Sequence, residues 1–228
     1  MSGNSFYGPL EDPAGDAGYT EHPSRVGFFT DTSVCIGCKA CEVACKEWNG
    51  VPDDGFNLLG MSFDNTGSLS ANTWRHVAFI EQPAPERPEP VDLGMPELSR
   101  PGDATGVETR TDFRWLMSSD VCKHCTHAGC LDVCPTGALF RTEFGTVVVQ
   151  QDICNGCGYC VSACPYGVID RGEDDGRAWK CTLCYDRLRD GLESACAKAC
   201  PTGCRRGRSA TTERTGTSAP RCGATGMR

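Results

Sequence analysis

The sequence has no apolar run approaching the roughly 18 residues that cross a bilayer; stretches such as Val147-Val148-Val149 are the length of a short strand. It has no basic excess either. Its 22 Lys and Arg stand against 30 Asp and Glu, a formal charge of −8, which excludes nucleic acid as a natural partner. The opening MSGNSFYGPLEDPAGDAGYTEHPSR lacks a basic region, an apolar stretch and a twin arginine. No signal peptide is expected, and export would depend on a partner. No nucleophile–base constellation stands out. Gly156-x-Gly158 is not a dinucleotide fingerprint, because no strand–helix unit frames it. Substrate chemistry is therefore not expected on this chain.

What the chain has in abundance is cysteine: 18 residues, beside 27 glycines and only 39% hydrophobic residues in a length of 228. Such a balance suits one or two domains with small cores organised around inorganic centres. Sixteen of the thiols fall into four groups. Cys35-x2-Cys38-x2-Cys41-x3-Cys45 and Cys154-x2-Cys157-x2-Cys160-x3-Cys164-Pro165 carry the spacing by which bacterial ferredoxins hold iron–sulfur cubanes. Between them lies Cys122-x2-Cys125-x4-Cys130-x3-Cys134-Pro135, and after them Cys181-x2-Cys184-x11-Cys196-x3-Cys200-Pro201.

The spacing has a physical cause. Three cysteines in a tight loop face one cubane, with backbone N–H groups aimed at its sulfides. The fourth sits a turn into the following helix and reaches a neighbouring cluster. Two groups thus lock two clusters together. Sixteen thiolates are the number that four [4Fe–4S] clusters need. Disulfide scaffolds have irregular spacings, and Cys-x2-Cys pairs are poorly placed to bridge each other. Zinc ribbons need two pairs far apart, not four cysteines in eleven residues. Thiols kept free for metal imply cluster insertion in a reducing cytoplasm.

The groups repeat. Cys134, Cys164 and Cys200 are followed by Pro-Thr-Gly, Pro-Tyr-Gly and Pro-Thr-Gly, each a turn leading out of a helix; the first group lacks this proline. Ala138-Leu139-Phe140 and Thr146-Val147-Val148-Val149, around Glu143-Phe144-Gly145, form a hairpin by pattern. The expected fold is α+β, with ferredoxin-like modules of a hairpin and two short helices. The expected layout is a flexible arm over 1–25, a four-cluster domain over 26–203 and a tail over 204–228. Within the domain lie an insert, 46–121, and an inner module, 122–170. In the insert, Thr73–Ile80 has the pattern of a strand, Pro83 to Arg110 that of a surface loop, and Phe113–Met117 returns to packed chain. The tail has six Arg, one Glu and no Leu, Ile, Val or Phe. No closing strand and no fixed structure are expected there; an out-of-frame translation accounts for so abrupt a change, and a basic tail for acidic partners is the alternative.

At SVCIGCKACEVACKEWN, CKHCTHAGCLDVCPTGAL, CNGCGYCVSACPYGV and KCTLCYDR, the chain resembles the four-cluster iron–sulfur (beta) subunit of molybdopterin oxidoreductases, across residues 25–203. Softer stretches, CKEWNG and Trp74–Ile80, resemble the formate dehydrogenase beta subunit. The same cysteine grid occurs in dimethyl sulfoxide reductase, nitrite reductase and hydrogenase electron-transfer subunits. The resemblance implies that groups one and four pair, as do two and three. Cys35, Cys38 and Cys41 would share a cluster with Cys200, and Cys181, Cys184 and Cys196 one with Cys45. Cys122, Cys125 and Cys130 would join Cys164, and Cys154, Cys157 and Cys160 would join Cys134. It further implies a non-catalytic subunit that takes electrons from a molybdenum- or tungsten-pterin subunit. These pass to a membrane cytochrome b or a soluble acceptor. The place implied is the cell envelope, peripheral to the membrane through partners, with a cytoplasmic site as the alternative. An independent polyferredoxin is the competing function, though the insert favours a permanent partner.

Other residues near the grid carry weaker expectations. Cys204 and Cys222 lie outside it and are expected to be incidental thiols. His124 and His127 are expected to make surface or hydrogen-bonding contacts, since four cysteines are already present. Lys180 either raises the potential of the cluster beside Cys181 or is a solvated charge. Tyr159, Tyr166 and Trp179 are expected to shield clusters from water.

Overall fold

Each cysteine group turns its chain in the same way. The computed structural model describes residues 12–55, 66–83 and 113–209. In all four groups the residue just before the second cysteine is left-handed: Gly37 (φ 66°), His124 (φ 45°), Gly156 (φ 71°) and Leu183 (φ 58°). Turns of this kind aim successive N–H groups into one concavity. Glycine adopts them freely. His124 and Leu183 do so at about 1–3 kcal/mol each, a strain that marks the turn as required rather than incidental.

Each loop runs into or towards a short helix. Those after the loops are α2 (Ala40–Asn49), α3 (Gly129–Asp132), α4 (Tyr159–Ser162), α5 (Tyr185–Arg189) and α6 (Ala195–Lys198), and α1 (Pro13–Asp16) precedes them. Gly50, left-handed, ends α2 by returning its N–H to Lys46 O. Helices of four residues cannot stand alone. Here they hold each other in pairs, α2 against α6 and α3 against α4. That brings group one to group four and group two to group three.

Four two-stranded antiparallel sheets complete the described fold. Residues Leu139–Arg141 (β4) and Val147–Val149 (β5) pair as the hairpin expected between the inner loops. Asp170–Arg171 (β6) pairs with Ala178–Trp179 (β7). In the insert, Arg75–Pro83 (β2) pairs with Phe113–Val121 (β3), from Arg75 opposite Val121 to Pro83 opposite Phe113. The segment from 84 to 112, expected to be a surface loop, lies outside the described residues. Trp74, just before β2, stacks on Trp179 with ring centroids 6.2 Å apart. The main buried cluster joins insert and modules: Cys45, Trp74, Val121, Leu139, Val147 and Cys181 are among its members.

Two expectations are corrected. Arg205–Ser209 form a strand, β8, on Val26–Thr30 (β1), with Thr30 opposite Arg205 and Val26 opposite Ser209. Composition misses this strand because a ladder is built by backbone groups, and the edge of β1 supplies partners whatever the side chains are. Residues 210–228 lie outside the described residues. The described part of the N-terminal arm is largely exposed but anchored at points: Pro13 and Ala14 are buried, and Tyr19 Oη donates to Arg141 O at 3.1 Å. Arg25 Nη1 donates to Thr126 Oγ1 at 2.8 Å.

The corrected tail makes a prediction. Truncation after Ser209 keeps β8, whereas truncation after Gly203 strands the backbone of β1. Removing about 2 kcal/mol of ladder would put the melting temperature of the shorter chain roughly 4–8 °C below that of the longer. Thermal melts of the two loaded truncations, run side by side, check this; equal midpoints would show that β8 adds nothing.

Candidate functional site

Cysteines four apart on a helix lie about 6 Å apart along its axis, so one helix serves two neighbouring sites. On α2, Cys41 and Cys45 stand one turn apart and face different gatherings of thiols. Cys41 lines a cavity with Cys35, Cys38 and Cys200. Cys45 is buried beside group four: the Asn49 amide nitrogen lies 3.8 Å from Cys45 Sγ and 3.9 Å from Cys184 Sγ. Burial pushes the Cys45 thiol up to about 12, aided by the charges of Cys196 and Cys184 and opposed by Arg75. Cys181 is also pushed up, by burial and then by Cys45, Cys122 and Cys196.

The inner module repeats the pattern. Burial pushes Cys130 up to about 11; the Lys180 charge opposes this, and Cys122, Cys164 and Cys125 add to it. Cys160 is pushed up by burial and then by Cys154 and Cys157, with Cys134 contributing. Each set of three from one group thus lies near a fourth cysteine from another. Backbone N–H groups point at sulfur as well: Leu183 N at Cys181 (3.3 Å), Ala178 N at Cys154 (3.4 Å) and Ala195 N at Cys184 (3.5 Å).

Two fourth cysteines are tuned the other way. For Cys200, burial acts upward, but hydrogen bonds from the Cys204 and Thr202 side chains and from their backbone N–H groups outweigh it. The thiol falls to about 7. Cys134 is lowered in the same sense: burial again opposes, and the Leu139 N–H and the Thr136 hydroxyl prevail. The threonine of each Pro-Thr-Gly turn therefore has a chemical use that its role as a turn does not reveal.

The thiols suit a multi-metal group. Metal binds thiolate, so buried thiols with raised pKa values need cationic metal to ionise. Yet among the described residues no three His, Cys, Asp or Glu converge closely enough to hold a single ion.

Several neighbours differ from expectation. Cys204 is 3% exposed, lines the cavity of Cys35, Cys38, Cys41 and Cys200, and has its Sγ 3.1 Å from Cys200 Sγ. It is a fifth thiol there rather than an incidental one. Only the fold of β8 onto β1 reveals it. Cys222 lies outside the described residues. Lys180 is 2% exposed, which removes the solvated-charge reading. Its Nζ donates to Val147 O and to Cys181 O (3.0 Å), and lies 3.7 Å from Cys122 Sγ. It thus stands between two gatherings, not beside one. His124 is buried and accepts the Val147 N–H on Nδ1 at 3.2 Å. Burial and the Lys180 charge hold its pKa well below the ordinary value. His127 is exposed. Tyr159 and Tyr166 are also exposed, so as shields they cover only the outer rim; Trp179 packs inward on Trp74.

The left-handed turns give a prediction. A Cβ at Gly156 would lie 2.6 Å from Gly176 O, in a backbone with φ +71°. Gly156→Ala should cost the chain about four iron, the share of one cubane. Gly50→Ala meets nothing within 4 Å and should keep its iron, losing only about 1 kcal/mol. Iron counts on both variants decide it; equal counts would mean the Gly156 turn is not needed.

Comparison with known proteins settles the family. Profiles described as 4Fe–4S dicluster domain match residues 34–138 and 113–209. The B subunit of the anaerobic dimethyl sulfoxide reductase of Escherichia coli K12 is 33% identical over 178 residues, 78% of this chain and 70% of that one. The chain belongs to the 4Fe–4S dicluster family of iron–sulfur subunits. The iron–sulfur subunit of the nitrate-inducible formate dehydrogenase of the same organism is 38% identical over 184 residues. The formate dehydrogenase-O iron–sulfur subunit is 40% identical over 180. These matches take in 80% and 78% of this chain but 54% and 51% of the relatives. The chain thus spans about half the length of those formate dehydrogenase subunits.

Proposed function

We propose that this chain is a non-catalytic subunit that relays electrons through four [4Fe–4S] clusters in a formate dehydrogenase. The electrons come from a molybdenum- or tungsten-pterin subunit and leave to a cytochrome b or a soluble acceptor. The observation that supports this reading is the distribution of thiols, three from one group near a fourth from its paired group, four times across two buried clusters that Phe28 packs against. The proposed ligand sets are Cys35, Cys38, Cys41 and Cys200; Cys45, Cys181, Cys184 and Cys196; Cys122, Cys125, Cys130 and Cys164; and Cys134, Cys154, Cys157 and Cys160. When bound, each cluster supplies one-electron redox chemistry. The protein's part is to fix their spacing, exclude water and set local charge.

Exposed apolar side chains favour a lasting partner over a freely diffusing carrier. Val34 and Ile36 flank Cys35, and Ile153, Tyr159 and Tyr166 lie along the third cysteine group and the turn after it, all open to solvent. Such patches mark interaction surfaces. No helix among the described residues is long and apolar enough to cross a membrane. The location we propose, by likeness to the formate dehydrogenase subunits, is the cell envelope, reached through partners.

The test is anaerobic purification of the chain from its native host. A large pterin subunit should co-purify, and the complex should reduce a dye with formate. A chain that elutes alone with full iron would support the polyferredoxin alternative. A complex active on dimethyl sulfoxide but not on formate would reassign the partner.

A further inference from the structure

One buried cation stands beside the thiol gatherings with no hydrogen-bond partner among the described residues. Arg75 opens β2 and is 1% exposed. Its Nε, Nη1 and Nη2 are buried and have no hydrogen-bond partner among the described residues. The guanidinium lies over the Phe28 ring, with Cζ 4.8 Å from the centroid. A desolvated cation–π contact recovers only part of the cost of burying a lone ion. Phe28 does not offset that cost. Lys180, the other buried Lys or Arg among the described residues, has two carbonyl oxygens on its Nζ. Arg75 has none among them.

Its surroundings say what is missing. Phe28 packs against the buried cluster that includes Cys45 and Cys181 and against the one that includes Cys41 and Cys196. Val77, two residues on and on the same face of β2, lines the cavity of Cys35, Cys38 and Cys41. The Arg75 charge acts on Cys45. The buried carboxylate of α2, Glu42, is engaged elsewhere: it accepts the Val77 N–H at 2.5 Å and pairs with Lys39 at 3.4 Å. Phe28, against which the guanidinium lies, thus joins two buried clusters whose members include Cys41, Cys45, Cys181 and Cys196, and a cubane with four thiolates carries a net charge of roughly −2 oxidised and −3 reduced.

We propose that Arg75 is the fixed counter-charge of the cluster held by Cys45, Cys181, Cys184 and Cys196. It donates N–H bonds to that cluster's sulfur atoms and raises its potential. This rests on the ligand sets proposed above. The sign follows from charge, because a fixed cation attracts the reduced cluster more strongly than the oxidised one.

The experiment compares the full chain with Arg75→Met and Arg75→Lys, each reconstituted anaerobically, counted for iron and titrated by electron paramagnetic resonance. In Arg75→Met one cluster's midpoint should fall by at least a tenfold change in its reduced-to-oxidised ratio, about 59 mV for one electron. The other clusters should move less, and Arg75→Lys should recover most of the shift. If Arg75→Met instead loses about four iron, retention of that iron by Arg75→Lys still supports the counter-charge. Iron lost equally from both variants would show that shape, not charge, is needed, and would overturn it. So would full iron with unchanged midpoints in both, while leaving the ligand reading intact. A wild-type chain that takes up no iron would sink the cluster reading itself, and the counter-charge with it.

Discussion

Anaerobic reconstitution of the full chain is expected to load about sixteen iron and sixteen acid-labile sulfide. The effect on the fold should be large. The main buried cluster is made in good part of thiols, Cys45, Cys122, Cys160 and Cys181 among them. Helices α3, α4 and α6 are four residues each, too short to persist without tertiary support. Chelating the metal should therefore unfold the modules rather than leave a hollow shell. Iron analysis and circular dichroism before and after chelation measure both effects. A count near eight iron would remove two clusters from the reading. One or two zinc per chain, with structure kept after iron removal, would replace it with a ribbon.

Cys134→Ser should damage the cluster across the module, not the one beside it in sequence. Cys134 follows α3, whose own Cys130 belongs with Cys122 and Cys125 in the proposed sets. Its charge instead acts on Cys160. The reason is the helical step, which separates residues four apart by about 6 Å along the axis and turns the fourth thiol to the partner loop. Serine holds iron more weakly than a thiolate, so the cluster of Cys154, Cys157 and Cys160 should lose its signal or shift in potential. That of Cys122, Cys125 and Cys130 should change little. Cys164→Ser should do the converse. Electron paramagnetic resonance of both variants reads this directly, and damage confined to the local loop in either would contradict crossed ligation.

The sequence by itself determined whatever depends on near neighbours. Thiol spacings such as Cys154-x2-Cys157-x2-Cys160 state which residues can face one centre, because the turn between them is built within a few residues. Glu143-Phe144-Gly145 likewise marks the β4–β5 hairpin, whose strands are joined by a short turn. Gly37 and Gly156 reveal two of the left-handed turns; His124 and Leu183 hide the other two, since neither side chain favours that backbone. Tertiary structure alone decided what joins distant segments. Strand β8 forms only because β1, from the opposite end of the described chain, offers it an edge, and a backbone ladder leaves no trace in an arginine-rich composition. That pairing carries Cys204 to Cys200. Lys180 was legible as a charge beside a ligand, but whether it was solvated depended on Val147 and Cys122 arriving from the inner module. Arg75 has the pattern of any polar residue at the start of a strand. Its burial against Phe28 follows from how β1, α2 and β2 pack, and a charge acquires its meaning from the dielectric and the counter-charges that packing brings around it.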